Sequence, residues 1–268
     1  MAAGFGSQDP RFHELVRRYD AEIAHTDAAL QQLVTGLRAR PSNRPLLVVI
    51  TADHGEEFLE HGFVEHAWTL YEESVRVPLV WWSPGRIPRT RSSQAASLVD
   101  VAPTLLRLLG IDSEQLLQQG SGRALFHVRG QQAEVADLGS RVRFAELGIA
   151  ERNVARAVWS DGWKYMVARR WLDVGERARA SRIEEQIRQQ GKTPALPPPG
   201  VVVREELFHL PSDPEERANR VTEAPAVLPR LREYLFQHER RCPLTGVVSG
   251  ARPTLAPHEA EALRQLGY

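Results

Sequence analysis

Between residues 11 and 38 the apolar positions recur at helical spacing. Leu15, Tyr19, Ile23, Leu30, Leu33 and Leu37 fall on one stripe among polar residues, which predicts a long amphipathic helix. The segment Pro41-Ser42-Asn43-Arg44-Pro45 breaks it. A continuous apolar, β-branched run follows, Leu46-Leu47-Val48-Val49-Ile50-Thr51, closed by Ala52-Asp53-His54-Gly55. A run apolar on both faces predicts a central parallel strand covered by helices on either side. The polar cluster after it falls at the strand's carboxyl end, where open α/β sheets place their ligands. A second buried strand is predicted at Val77-Pro78-Leu79-Val80-Trp81-Trp82, and Asp100 is placed to cap a helix from Val101 to Leu109 that Gly110 stops.

From about residue 140 the pattern becomes one of short strands: Arg143–Glu146, Val154–Trp159, Lys164–Ala168 and Val201–Leu210, with turns such as Ser160-Asp161-Gly162 between them. This predicts a small antiparallel sheet. A polar excursion over residues 169–200 interrupts it, with an Arg/Glu/Gln-rich helix at 176–190 and a stiff linker made by Pro194 and Pro197-Pro198-Pro199-Gly200. Residues 223–239 read as a final amphipathic helix using Leu228, Leu231, Leu235 and Phe236, and Pro243–Pro257 as loop. The expected organisation is therefore an α/β part over residues 1–140 and an α+β part over residues 141–268.

Composition narrows the function classes. The 268 residues carry 34 basic and 34 acidic side chains, so bulk charge gives no reason to expect a nucleic-acid partner. No apolar run approaches the roughly 20 residues of a membrane span, and the first 20 residues hold no signal-peptide core. The lone cysteine, Cys242, excludes an internal disulfide framework and a multi-cysteine metal site, and it fits either redox compartment, which leaves localisation open. Only Lys164 and Lys192 are lysines, a bias read as coding preference.

Two clusters carry candidate chemistry. Asp53 and His54 are a carboxylate and an imidazole adjacent on a turn, able to reach one ion, with Gly55 letting the backbone fold tightly around it. Mixed oxygen and nitrogen ligation suits Mn²⁺ or Zn²⁺, and Ca²⁺ if further carboxylates join; a plain turn accounts for the same three residues. His61 and His66, five residues apart beside that turn, suit contact with an anionic oxygen or proton transfer, and two ordinary loop histidines fit as well. Arg76 reads either as an anion ligand or as an ion-pair partner of Glu72 or Glu73.

Together these residues resemble the later half of the sulfatase family, within the alkaline-phosphatase-like superfamily. The resemblance runs through Asp53-His54-Gly55-Glu56, Glu60-His61-Gly62, His66, Leu70-Tyr71-Glu72, Arg76-Val77-Pro78-Leu79 and Pro84-Gly85. It continues through the stretch from Ser97 to Leu106, Gly110-Ile111, Gly122-Arg123-Ala124-Leu125, Glu206-Leu207-Phe208-His209-Leu210, Asp213-Pro214-Glu215, Asn219 and Leu266-Gly267-Tyr268. The implied fold is α/β: a partial alkaline-phosphatase-like sheet covered by helices, then a small C-terminal antiparallel sheet with a packing helix. The implied activity is cleavage of sulfate esters, of a small molecule or a glycan, with one divalent cation. Asp53 and His54 fall where the family places two metal ligands, with Ca²⁺ and Mn²⁺ both open. His66 falls where members use Lys or His to contact the sulfate oxygens, which makes it a catalytic and substrate-binding position. His61 lies near the site as a second catalytic candidate. Asp100, Asp213 and Asn219 are assigned structural roles.

The resemblance also implies parts this sequence does not show. The family's further Asp ligands and its Cys/Ser-x-Pro-x-Arg motif, whose first residue becomes formylglycine, have no counterpart; Cys242 in Cys242-Pro243-Leu244-Thr245-Gly246 does not fit. The expectation is a C-terminal portion that lacks the nucleophile, binds metal weakly, is inactive alone and has the missing N-terminal half as a partner. Other readings are a phosphodiesterase, phosphonate hydrolase or phosphoethanolamine transferase on the same scaffold, and, from another class, a non-catalytic remnant or binding protein.

Overall fold

A computed structural model describes residues 6–41, 45–111, 122–149, 153–171, 189, 200–223 and 225–242. The predicted helical excursion at 176–190, the linker prolines and the C-terminal loop and tail lie outside the described residues, apart from Gln189 and Gly200.

The first helix, α1 (Pro10–Ala39), starts where Asp9 accepts a hydrogen bond from the Arg11 amide and Pro10 supplies a preset φ. Its apolar stripe is present, but no α1 residue is buried, and Tyr19, Ile23 and Leu33 stay exposed. Strand β1 (Val48–Thr51) pairs antiparallel with the later strand Leu79–Trp82, from Val48 opposite Trp82 to Thr51 opposite Leu79. Among the described residues it has no second neighbour, and Val48, Val49 and Ile50 are only half-buried. The expected central parallel strand is thus corrected: a continuous apolar run encodes burial, and strand direction is set by which partner the chain brings beside it.

Between these two strands lie the hairpin of β2 (Glu57–Phe58) and β3 (Val64–Glu65) and the one-turn helix α2 (Glu72–Val75); Leu79–Trp82 is then β4. Helix α3 (Val101–Leu109) ends at Gly110, whose φ of 70° lets the Gly110 and Ile111 amides close on the last turn. Nothing surrounds Gly110 within 4 Å, so Gly110→Ala tests conformation alone and is expected to cost about 1 kcal/mol in chemical denaturation. Leu108 of α3 packs with Leu125, Phe126, Ala133, Ala136 and Leu138, around the hairpin of β5 (Phe126–Arg129) and β6 (Gln132–Val135), over Leu47, Leu79 and Trp81.

Asp100 does not cap α3 by its side chain. It closes a capping box with Ser97 around the preceding turn, and its fully buried carboxylate accepts both Arg141 terminal nitrogens and the Arg123 amide. Its role is structural, but as the acceptor of a buried guanidinium.

The C-terminal strands β7 (Arg143–Ile149), β8 (Asn153–Ser160), β9 (Trp163–Trp171) and β10 (Gly200–His209) form one antiparallel sheet in the order β10-β9-β8-β7. Asp161 and Gly162, with φ of 51° and 79°, make the two-residue turn between β8 and β9. Side-chain alternation splits this sheet into two buried faces. Val158, Tyr165, Val167 and Leu207 face Leu228, Leu231 and Leu235 of the last helix, α4 (Leu228–Arg241). Ala157, Trp159, Met166 and Phe208 face Leu70 and Tyr71, which lead into α2. The sheet therefore supports the segment that follows the Asp53–His66 region.

Candidate active site

Strand β1 ends where the Thr51 hydroxyl donates to the Pro78 carbonyl at 2.8 Å, which ties the strand end to the chain entering β4. Asp53 follows with a largely exposed carboxylate that accepts the His54 amide at 3.0 Å. His54 Nδ1 lies 2.8 Å from the Gly55 carbonyl, which can only accept. Nδ1 therefore donates to it, which leaves Nε2, 3.8 Å from Asp53 Oδ1, as the nitrogen available to a ligand. A backbone carbonyl behind one ring nitrogen and a lone pair on the other is how a metal-ligating histidine is oriented.

Pairing register explains why His66 joins this pair. Glu57 lies opposite Glu65 in the β2–β3 hairpin, so one step outward sets His66 across from Glu56. His66 Nδ1 is 3.4 Å from Glu56 Oε2, and its ring stacks on His54 with centroids 4.3 Å apart. Both neighbours of His66, Glu65 and Ala67, hold left-handed φ of 71° and 69°, a backbone cost that the surrounding contacts must sustain.

Gly55 and Glu57 fix this arrangement to α2. The Gly55 amide donates to the Ser74 carbonyl at 2.8 Å. Glu57 is buried, and its Oε1 accepts both the Thr69 and Ser74 hydroxyls. In the sequence Glu56 stands out only as the end of the Asp53-His54-Gly55-Glu56 motif, with no role of its own, and Glu57 looks like an ordinary polar residue after a turn.

His61 goes elsewhere. Its Nδ1 is 2.6 Å from Glu73 Oε1, its Nε2 is 3.1 Å from the Glu216 carbonyl, and its ring lies flat on Tyr71 at 3.5 Å between centroids. It lines a separate cavity of about 300 Å³ with Tyr71, Arg204 and Glu206, not the groove of Asp53, His54 and His66. The Tyr71 hydroxyl donates to Glu206, and burial, followed by that carboxylate, pushes its pKa far above the ordinary phenol value.

Arg76 pairs with neither Glu72 nor Glu73. Glu73 serves His61, while Glu72 Oε1 accepts from Lys164 Nζ and Trp159 Nε1, each at 3.1 Å. Lys164 is fully buried and also meets Glu216 at 2.7 Å. Burial raises the Glu216 pKa and Lys164 opposes that rise. A signal for Lys164 did exist in the sequence: it is one of two lysines among 34 basic residues. Asp213 and Asn219 hold the turn after β10 as expected, Asp213 by accepting the Arg217 and Ala218 amides and Asn219 by accepting those of Leu207 and Val221.

Asp53 and His54 suit one divalent cation through one oxygen and one imidazole nitrogen. Among the described residues no group of three or more His, Cys, Asp or Glu side chains is arranged to hold a metal.

The described residues form a mixed α/β fold of helices and small antiparallel sheets. A crystal structure of a candidate sulfatase from Bacteroides thetaiotaomicron superposes with a TM-score of 0.50 at 21% identity, covering 73% of this chain and 36% of that one. Residues 2–111 match the family description Sulfatase. Arylsulfatase K of Gallus gallus is 28% identical over 222 residues, 81% of this chain and 35% of the relative, and arylsulfatase K of Homo sapiens is 35% identical over 99 residues, 37% of this chain and 18% of the relative. The chain is thus similar to the sulfatase family over residues 2–111, and to arylsulfatase K of Gallus gallus over 81% of its length. It spans about a third of the length of the arylsulfatase K of Gallus gallus.

Proposed function

We propose that this chain supplies the cation-binding pair and a sulfate contact of a sulfate ester hydrolase. Asp53 and His54 hold a divalent cation, and His66 contacts the sulfate oxygens. The observation that carries the reading is the His54 Nδ1 contact with the Gly55 carbonyl, which leaves Nε2 beside Asp53, with the His66 ring stacked on His54. The cation, Ca²⁺ or Mn²⁺, would supply charge withdrawal from the sulfate. Asp53 offers a carboxylate with little burial to overcome, and His54 a nitrogen already oriented, so little ordering remains when an ion arrives. Glu56 accepts from His66 Nδ1, which aims the opposite nitrogen outward, and the imidazolium form, its charge offset by Glu56, donates from that nitrogen to an oxyanion. His61, with both ring nitrogens engaged, holds the loop to Glu73 and Glu216 rather than meeting substrate.

Mn²⁺ titration of the 268-residue chain, read by calorimetry, tests the reading. Because six or more donors are usual for Ca²⁺ and two are provided, a dissociation constant of roughly 10⁻³ M or weaker is expected. Asp53→Asn and His54→Ala should abolish binding. His66→Ala should leave the metal affinity intact and weaken inorganic sulfate about tenfold in the presence of Mn²⁺. Metal binding that survives loss of both Asp53 and His54 overturns the assignment. Hydrolysis of para-nitrophenyl sulfate by the chain alone is expected at the buffer rate; selective cleavage of a phosphate diester would move the reading to phosphoryl transfer.

A further inference from the structure

Cations buried against the C-terminal sheet have acidic partners. Arg141 grips Asp100, Arg156 meets Glu146 and Glu239, Lys164 meets Glu72 and Glu216, and Arg169 meets Glu239. Arg143, at the start of β7, does not follow this pattern. Its guanidinium lies over the Trp159 ring, 5.7 Å from the centroid, and makes no hydrogen bond or ion pair with any described residue. Burial lowers its pKa from the ordinary arginine value, with the fields of Glu72 and Asp100 opposing the loss. Both of those carboxylates are already committed, to Lys164 and Trp159 and to Arg141 and Arg123. A half-buried guanidinium without an acceptor carries a desolvation cost that an incoming anion would relieve.

Arg143 faces the groove that contains Asp53, His54 and His66. The groove measures about 1520 Å³, beyond the volume a sulfate group needs and above most small-molecule pockets. Arg76 and Arg91, both exposed, also line it, and neither side chain pairs with a described residue. Asp53, Glu72 and Glu146 line the same groove, but Glu72 and Glu146 bond Lys164 and Arg156, so the three guanidinium groups along it are not matched by those two carboxylates.

We infer that the groove contains a second anion subsite, centred on Arg143, which takes a carboxylate or second sulfate carried by the organic part of the ligand. The fork of N–H donors suits a planar or tetrahedral oxyanion, and Trp159 holds one face of the fork so that the anion meets its edge. Arg76 and Arg91 attract the ligand from farther out, in a salt-dependent way. The ligand class is therefore a sulfate ester with a second negative charge. This rests on the reading of His66 as the sulfate contact.

The test measures equilibrium binding of phenyl sulfate, para- and meta-carboxyphenyl sulfate and phenylene bis-sulfate to the full chain at fixed ionic strength. At least one dianionic probe should bind about tenfold tighter than phenyl sulfate. The carboxylate and bis-sulfate probes show which anion is preferred. Arg143→Gln should bring that probe to within about twofold of phenyl sulfate and leave phenyl sulfate itself unchanged. If Arg143→Gln fails to fold by near-ultraviolet circular dichroism, the exposed pair Arg76→Gln and Arg91→Gln carries the test, expected to halve the preference and flatten its salt dependence. Equal affinity for one and two charges, a preference that persists in Arg143→Gln, or an unchanged preference and salt dependence in the exposed pair overturns the subsite. His66→Ala separates the two readings. Loss of affinity for every probe supports the sulfate contact, whereas an unchanged phenyl sulfate affinity alongside an Arg143-dependent preference removes His66 and retains the subsite.

Discussion

Gly55→Ala is expected to lower the unfolding midpoint sharply and to cost about 3 kcal/mol or more. A Cβ on Gly55 would sit 1.9 Å from the Glu73 carbonyl oxygen and 3.0 Å from its carbon. Both atoms are backbone, so no rotamer change makes room. They also belong to the strand-to-helix contact that the Gly55 amide closes on Ser74. The left-handed region is not the reason, since Gly55 is not among the positive-φ residues; the reason is space. To relieve the clash the end of β1 must move away from α2, and Asp53 and His54 move with it. The same variant should therefore lose both stability and the Mn²⁺ response, whereas Asp53→Asn loses the response alone. Gly62→Ala is the control: its φ of 87° disfavours a side chain, but nothing lies within 4 Å, so about 1 kcal/mol is expected. Equal midpoints for the Gly55 and Gly62 variants would show that β1 and α2 are not held together as described.

What the sequence disclosed depended on whether the deciding contact was local. Helix α3 and its glycine stop, and the Asp161-Gly162 turn with the strands beside it, depend on neighbours a few residues away, and they were legible. Asp53, His54 and His66 were singled out by residue type and family resemblance, but their meeting depends on the β2–β3 register, which two-residue strands do not announce. The direction of β1 was misjudged, and the stripe of α1, legible as a stripe, stays exposed, for a common reason. Periodicity states which residues favour burial, and what covers them is a property of the rest of the fold. His61 shows the same limit within the site: spacing made it the equal of His66, and only the long-range contacts with Glu73 and Glu216 separate the two.

Lys164 is the other long-range residue, and Lys164→Met is expected to cost about 3–5 kcal/mol, because removing one member of a buried ion pair strands the other. Lys164 and Glu216 both have side chains with no exposure, 2.7 Å apart. Glu216 Oε2 accepts the Glu72 amide at 2.6 Å, and Lys164 bonds the Glu72 carboxylate, so the pair clamps the first residue of α2 to the sheet. The pH dependence has a definite sign. Burial already raises the Glu216 pKa and Lys164 counteracts it, so loss of the ammonium raises the pKa further. A carboxyl group raised in the folded state contributes its full stability below its unfolded value, near 4.5, and loses it as pH climbs through the folded value. The Lys164→Met deficit should therefore be smallest at acid pH and grow toward neutrality. Adding Glu216→Gln removes the stranded charge while keeping an acceptor for the Glu72 amide, and it should recover most of the loss, giving a large coupling in a double-mutant cycle. Because α2 also receives the Gly55 amide through Ser74, the anchor extends from the sheet through α2 to the end of β1. Lys164→Met should consequently weaken the Mn²⁺ response at neutral pH although it touches neither Asp53 nor His54. A deficit independent of pH, with no recovery on adding Glu216→Gln, would show that α2 is held by the packing of Leu70 and Tyr71 on the sheet rather than by this buried charge pair.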